Sequence, residues 1–300
     1  MAQSDGPWTV ERVLTWTRGF FERKQLDSPR LSAELILAHV LGLPRIKLYT
    51  NYQQPLTETE LTQLRDLVKR AGEEEPIGYL TRKAHFFNLE FDVSPAVLIP
   101  RPDTETLVEQ VMNLMRHTAG FETPRILDLC TGSGAIAIAI AFHAKSAQLL
   151  ATDISPDALA IAKQNVEKHQ LADRVTLLQG DLYEALDAHV DKTAFDIITA
   201  NPPYISTSQM QQLPRNVGGY EPHLALHGGP DGLDPHRQIL QGATADRLRA
   251  GGRVLLEIAF DQHEAALEMI SKYDDFTDAR VLRDHAGNPR VLTAARKEGR

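Results

Sequence analysis

The sequence predicts an α/β protein: a mostly parallel sheet with helices on both faces, preceded by a small all-α domain and a β-hairpin. Three observations carry this. From residue 125 onward, short β-branched apolar runs alternate with helical patterns, as in chains of βαβ units. Residues 9–72 show helical periodicity alone. Between them, residues 85–93 mix aromatic residues with an alternating tail, which predicts a strand pair. At 300 residues the chain can bury one large core or two ordinary ones.

Composition narrows the class. A hydrophobic share of 42% against 24% charged is that of a soluble protein. No run of roughly 18 apolar residues predicts a membrane span. Met1-Ala2-Gln3-Ser4-Asp5-Gly6 lacks the basic start and apolar core of a signal peptide. The single cysteine, Cys130, excludes an internal disulfide and a cysteine-rich metal site. The histidines do not fall at zinc-ligand spacing, so no metal is expected. The expected location is the cytoplasm. Net charge is −8, and neither residues 1–100 nor residues 101–300 carry a basic excess. That argues against direct nucleic-acid binding through phosphate contacts, and no membrane partner is expected.

The elements follow in order. Val10, Val13, Leu14, Thr17 and Phe21 share one helical face. Ser28-Pro29 reads as an N-cap followed by proline at the first helical position, and Gly42 as the stop. Leu31, Leu35, Ala38 and Leu41 give that helix its stripe. Thr57-Glu58-Thr59-Glu60 is a capping box. Leu61, Leu64 and Val68 follow it, and Gly72 ends the helix. Pro76, Pro95, Pro100 and Pro102 punctuate the hairpin region. Asp103 and Glu105 open the next helix, with Leu107, Val111 and Leu114 buried. Strands are expected over 125–129, 148–153, 175–179, 195–199, 253–258, 276–282 and 290–294. Helices are expected after Ser155-Pro156, with Leu159, Ala162 and Val166 buried, and over 234–248 and 262–271. Residues 135–142 conflict, because Ala-Ile-Ala-Ile-Ala-Ile alternates like a strand. A helix is expected there because the run follows a glycine turn and half its residues are alanine. The domains expected are a helical substrate-docking domain over 1–84, a hairpin linker over 85–101 and the sheet domain over 102–300. Residues 205–233 lack either period, so a wall or lid over the site is expected there.

Two motifs carry chemistry. Asn201-Pro202-Pro203-Tyr204 ends the strand over 195–199. Neither proline can donate to a sheet ladder, and each restricts the residue before it. Asn201 is therefore held extended at the carboxyl end of a strand, where ligands bind in open α/β sheets. Its side-chain oxygen and the nearby carbonyls form a rigid acceptor set suited to a planar NH2 group, either a carboxamide or the exocyclic amine of a base. A proline-rich turn is the bland reading. The second motif is Asp128-Leu129-Cys130-Thr131-Gly132-Ser133-Gly134. Its glycines let backbone approach a ligand, yet it lacks the third glycine of a dinucleotide fingerprint and the lysine of a P-loop. Asp153, about 20 positions on, suits the two hydroxyls of a ribose. Gly180-Asp181-Leu182 can recognise and cover an adenine. Together the strand ends imply an adenosine without a diphosphate.

On these motifs the sequence resembles a class I S-adenosylmethionine-dependent methyltransferase, with its Rossmann-like sheet. Asn-Pro-Pro-Tyr after the fourth strand resembles the element of amino methyltransferases of DNA bases and of protein-glutamine methyltransferases. The longer match favours the latter. Pro76-Ile77-Gly78-Tyr79-Leu80-Thr81, Val97-Leu98-Ile99-Pro100-Arg101-Pro102-Asp103-Thr104-Glu105, Tyr220-Glu221-Pro222 and Gly228-Gly229-Pro230-Asp231-Gly232-Leu233-Asp234 resemble the bacterial release factor glutamine methyltransferase family, protein-(glutamine-N5) methyltransferases. The likeness covers nearly the whole chain. It departs at Cys130, where the family usually has glycine and a sister family acting on a ribosomal protein has cysteine, and at Asp103, where glutamate is commoner. The N-terminal region looks more like the release-factor branch.

The resemblance implies S-adenosyl-L-methionine as cofactor and release factors as protein partners, with the glutamine of a Gly-Gly-Gln loop as the methylated residue. Cofactor binding then falls to Cys130, Thr131, Gly132, Ser133, Gly134, Asp153, Asp181, Leu182 and Asn201. Substrate binding falls to Asn201, Pro202, Pro203 and Tyr204, with Asn201, Pro202 and Tyr204 also catalytic. Asn201 Oδ1 and the Pro202 carbonyl would hold the amide, and Tyr204 would pack on it. Arg101 would shape the substrate site or form a surface ion pair. Alternatives are a ribosomal-protein glutamine, an amino group of DNA, or a binding protein that senses the cofactor without turnover.

Overall fold

The computed structural model describes residues 6–187 and 193–298. Residues 1–5, on which the signal-peptide reading partly rests, lie outside the described residues. The chain forms two compact units, Met1–Arg82 with Pro214–Tyr220, and Lys83–Leu213 with Glu221–Arg300.

The first unit is helical, with α1 Val10–Arg23, α2 Pro29–Leu41, α3 Arg45–Thr50, α4 Glu58–Ala71 and α5 Ile77–Thr81. The capping box of α4 is present: Glu60 N donates to Thr57 Oγ1 at 3.3 Å, and Thr57 N to Glu60 Oε2 at 2.6 Å. Two local expectations are corrected. Ser28 does not cap α2 with its side chain, because its own backbone is left-handed (φ 48°). The buried face of α2 is Ala33, Ile36, Leu37 and Ala38, so of the expected stripe Ala38 is buried, Leu35 and Leu41 are half-buried and Leu31 is exposed. This helix is apolar on several sides, so periodicity alone offers two stripes and packing selects one.

The second unit begins with a hairpin, β1 Lys83–Phe86 and β2 Leu89–Asp92. Phe87 and Asn88 both have positive φ, the backbone a two-residue hairpin turn requires. The hairpin, expected as a linker, is built into this unit's core through Phe86 and Phe91. Then follow α6 Glu105–His117, β3 Arg125–Leu129, α7 Ala135–His143, β4 Gln148–Asp153, α8 Pro156–Lys168, β5 Val175–Gln179 and β6 Phe195–Ala200. Residues 205–233 are not without period. They hold the short helices α9 Thr207–Met210 and α10 Arg215–Gly218, the latter within the first unit, and a 3-10 turn at His223–Ala225. The chain closes with α11 Asp234–Gly242, β7 Leu248–Glu257, α12 His263–Ser271, β8 Phe276–Arg283 and β9 Pro289–Arg296. The helix expected to reach residue 248 stops at Gly242, and a π turn carries the chain to Leu248, where pairing with Phe195 starts the strand early.

The sheet order is β5-β4-β3-β6-β7-β9-β8. Strands β3 to β7 are parallel and β9 runs antiparallel to β7. From β3 the chain steps outward through β4 and β5, then returns to β6 on the other side of β3. That reversal opens a crevice at the carboxyl ends of β3 and β6, the place where open α/β sheets bind ligands.

Candidate active site

A cavity of about 290 Å³ occupies that crevice. Its floor is the turn after β3. Cys130, Gly132 and Gly134 all have positive φ, 57°, 56° and 80°. A side chain at Cys130 therefore sits in backbone geometry that favours glycine, which matches the glycine usual there in the resembling family. Burial raises the Cys130 thiol pKa, and Asp153, Asp128 and Asp181 raise it further. The thiol stays protonated and is no nucleophile.

Asp153, at the end of β4, holds this turn in place. Its Oδ2 accepts from Gly132 N at 2.8 Å and its Oδ1 from Ser155 N at 3.0 Å. Burial raises its pKa, against those backbone donors. Asp128 lies beneath, fully buried, accepting from Thr131 Oγ1 at 2.6 Å and Thr199 Oγ1 at 2.7 Å. Burial pushes its carboxyl up to about 7. It braces β3, the turn and β6 rather than facing a ligand. Asn165, which the sequence did not mark, is fully buried and ties the hairpin to the turn. Its Nδ2 donates to Asp92 O and Ser133 O, and its Oδ1 accepts from Asp92 N.

Cys130, Thr131, Gly132, Ser133, Asp153, Asp181, Leu182, Asn201 and Pro203 come together on the cavity wall. Gly134, Pro202 and Tyr204 are not on it. Gly134 starts α7, and a Cβ there would lie 2.9 Å from Ile138 Cδ1 and 3.4 Å from Ala162 Cβ. Its bareness lets α7 approach α8. Pro202 is buried. Tyr204 directs its hydroxyl to Glu257 Oε1 at 3.4 Å, so it anchors the turn from behind. Asn201 Nδ2 donates to Thr104 Oγ1 at 3.3 Å. That leaves Oδ1 as the end of the amide free to accept from a ligand in the cavity that Asn201 lines.

The opposite wall comes from Ala96, Val97, Leu98, Pro100 and Thr104, and from Pro222, Leu224, Ala225 and His227. An ion pair joins these two segments. Arg101 Nη2 reaches both Glu221 oxygens at 2.7 Å, and the Glu221 carboxyl is buried. Burial raises the Glu221 pKa, and Arg101 opposes this. Arg101→Met is expected to cost about 1–3 kcal/mol in urea denaturation, less than for a fully buried pair because Arg101 is partly solvated. The double variant Arg101→Met/Glu221→Gln should recover most of it. The segment after Tyr204 packs just as closely: a Cβ on Gly228 would fall 2.6 Å from Pro203 O. Gln262 Nε2 donates to Tyr204 O at 3.0 Å and to Asp231 O at 3.3 Å.

Residues 12–81 match the family described as PrmC N-terminal domain, and residues 103–215 match the Methyltransferase small domain. The release factor glutamine methyltransferase of Rhodopirellula baltica is 41% identical over 97% of this chain and 97% of its own length. The chain belongs to the release factor glutamine methyltransferase family. The member from Geobacter sulfurreducens is 40% identical, over 97% of this chain and 98% of its own. Membership makes the protein an enzyme, a methyltransferase. Among solved structures, the hMettl16 catalytic domain in complex with MAT2A 3′UTR hairpin 1 aligns with a TM-score of 0.57 at 16% identity, covering 80% of this chain and 81% of that one. That likeness shows the fold. Among the described residues no helix is long and apolar enough to cross a membrane, and no group of three or more His, Cys, Asp or Glu could hold a metal ion.

Proposed function

We propose that the enzyme methylates the side-chain amide nitrogen of the glutamine in the Gly-Gly-Gln motif of peptide chain release factors, with S-adenosyl-L-methionine as methyl donor. The observation that carries this is Asn201. It lines the cavity beside Pro203, and with its NH2 engaged by Thr104 its oxygen remains to accept. Membership of the family supports the protein substrate.

The cavity residues fit the methyl donor. The turn over 130–133 offers close backbone approach, and Asp153 keeps lone pairs for a diol beyond those its two backbone donors use. Asp181 and Leu182, at the end of the next strand, suit an adenine edge and face. When bound, S-adenosylmethionine supplies an electrophilic methyl group on a sulfonium sulfur. The protein's part is positioning. A carboxamide nitrogen is a poor nucleophile because its lone pair is delocalised into the carbonyl. Asn201 Oδ1 accepts one of its N–H bonds and aims the lone pair, an effect worth up to roughly 7–11 kcal/mol in well-oriented systems; Pro202, expected to supply the second acceptor, lies off the cavity wall. The same acceptor stabilises positive charge developing on nitrogen. No side chain need remove the proton first, since the methylated cation is a strong acid.

The test is to incubate the protein and methyl-labelled S-adenosylmethionine separately with release factors, ribosomal protein and duplex DNA, and locate the label by mass spectrometry. One methyl on the Gly-Gly-Gln glutamine is expected. Label on ribosomal protein or DNA alone would refute the reading.

We also propose that the first unit docks the release factor and that the enzyme works in the cytoplasm. The unit's described residues carry no chemical constellation, yet expose Leu31 and Ile46, at 40% and 70%. Leu31→Glu/Ile46→Glu is expected to raise KM for intact release factor about tenfold. kcat should stay unchanged, as should the rate on a short Gly-Gly-Gln peptide. Unchanged steady-state kinetics on the intact factor would remove these residues from the docking surface.

A further inference from the structure

Glu257 ends β7, beside the strand that delivers Asn201, and Ala200 pairs with Leu256 in register. It does not line the cavity, and its side chain is buried at 1% exposure. His236 Nε2 donates to its backbone carbonyl at 2.7 Å, fixing the strand end. The carboxyl meets the Asn-Pro-Pro-Tyr turn at both ends. Tyr204 donates its hydroxyl to Oε1 at 3.4 Å. The Thr104 hydroxyl lies close enough to the carboxyl to favour its charged form, and Thr104 Oγ1 accepts from Asn201 Nδ2 at 3.3 Å.

The chemistry of the groups limits the direction of this chain. A threonine hydroxyl has one hydrogen, and an amide NH2 can only donate. With Asn201 donating to Thr104, the Thr104 hydrogen is free to turn to Glu257, the acceptor beside it. A flipped Asn201 amide would place its oxygen against Thr104 and present N–H donors to a substrate that itself offers N–H donors. Charge around the carboxyl is not fully balanced, since Arg290 is shared with Asp103 and Asp284 and burial pushes the Glu257 carboxyl up to about 7. Arg290, also buried, lies near Glu257 and pairs with Asp103 Oδ2 at 2.9 Å, next to Thr104. Glu257 Oε2 has no hydrogen-bond partner among the described residues. A buried carboxyl with an unsatisfied oxygen is a poor choice for stability alone.

We propose that Glu257 is a positioning residue for methyl transfer: through Thr104 it locks the Asn201 amide with Oδ1 toward the acceptor nitrogen, and through Tyr204 it holds the far end of the same turn. This rests on the reading that the acceptor is an amide nitrogen.

The test uses the full chain in single-turnover methylation of a release factor, with methyl donor saturating. Glu257→Leu and Thr104→Val are each expected to slow transfer at least ~10-fold. KM for the release factor and calorimetric affinity for S-adenosylmethionine should stay within about twofold. Glu257→Gln and Thr104→Ser, which keep an acceptor and a hydroxyl, should restore most of the rate. In an Asn201→Ala background, Glu257→Leu should cost little more, because the group it orients is gone. An undiminished loss in that background, or a wild-type rate for Glu257→Leu, overturns the proposal. If Glu257→Leu does not fold, Thr104→Val carries the same comparison.

A second readout does not depend on turnover. The Asn201 side-chain NH2 resonance, assigned by its loss in Asn201→Ala, should shift in Glu257→Gln and in Thr104→Val. An unmoved resonance in both refutes the relay. A wild-type protein that methylates no release factor refutes the substrate reading, and the resonance still decides the relay.

Discussion

Asn201→Ala is expected to slow methyl transfer at least ~100-fold while cofactor affinity changes little. The side chain supplies the oxygen on the cavity side, and its NH2 is already committed to Thr104. Alanine leaves a two-donor amide with backbone carbonyls alone. One N–H is then unpaired in a dry site, at a cost of about 1–3 kcal/mol, and the aim of the nitrogen is lost as well. Asn201→Asp keeps an oxygen and adds negative charge near a developing cation. It also removes the donor to Thr104 and carries a desolvation cost. Its rate should fall between those of alanine and wild type. Single-turnover methylation of a release factor by the three proteins decides this. Alanine at the wild-type rate would sink the acceptor model.

Asp153→Ala should weaken S-adenosylmethionine binding roughly ten- to a hundredfold, the loss of charge-assisted hydrogen bonds worth about 1.5–3 kcal/mol. The loss has two sources. The carboxylate would no longer meet the ribose hydroxyls, and Gly132 N and Ser155 N would lose their acceptor, freeing the turn that the ligand needs held. The variant should also change how stability depends on pH. Burial raises the Asp153 pKa in the folded protein. The folded state therefore favours the neutral carboxyl, and ionisation costs stability as pH rises above the unfolded value near ~3.9. Without Asp153, ligand-free stability should fall less as pH rises from about 4 toward neutrality. Calorimetric titration measures the first effect, and urea midpoints across that range measure the second. Unchanged affinity would remove Asp153 from the cofactor site.

What the sequence by itself determined here is local. Proline, glycine and capping residues act on their own and adjacent turns. That is why the α4 capping box, the strand that ends in Asn-Pro-Pro and the glycine turn after β3 were legible. Alternation of β-branched and helical runs likewise determined the α/β class. Periodicity failed where burial is uniform. Helix α7 is apolar all round and buried from Ala135 through Ala141, so its alternation carries no information about which face points inward. The same uniformity hid the true stripe of α2. The start of β7 was hidden for another reason, since Leu248 joins a strand only because Phe195 is there to pair with it.

The site's supporting bonds were decided by tertiary structure alone. Arg101 meets Glu221 across 120 positions of chain, Asn165 meets Asp92 across 73, and Asp128 meets Thr199 across 71. No local propensity encodes such pairs. Asp128 meets Thr199 because the sheet order sets β3 beside β6, the other two pairs join segments packed around that sheet, and burial leaves each polar group few partners. Tyr204 illustrates the division. Its place after two prolines was readable from the sequence, but its hydroxyl turns to Glu257, 53 positions on, because the packed fold puts that buried carboxyl within its reach.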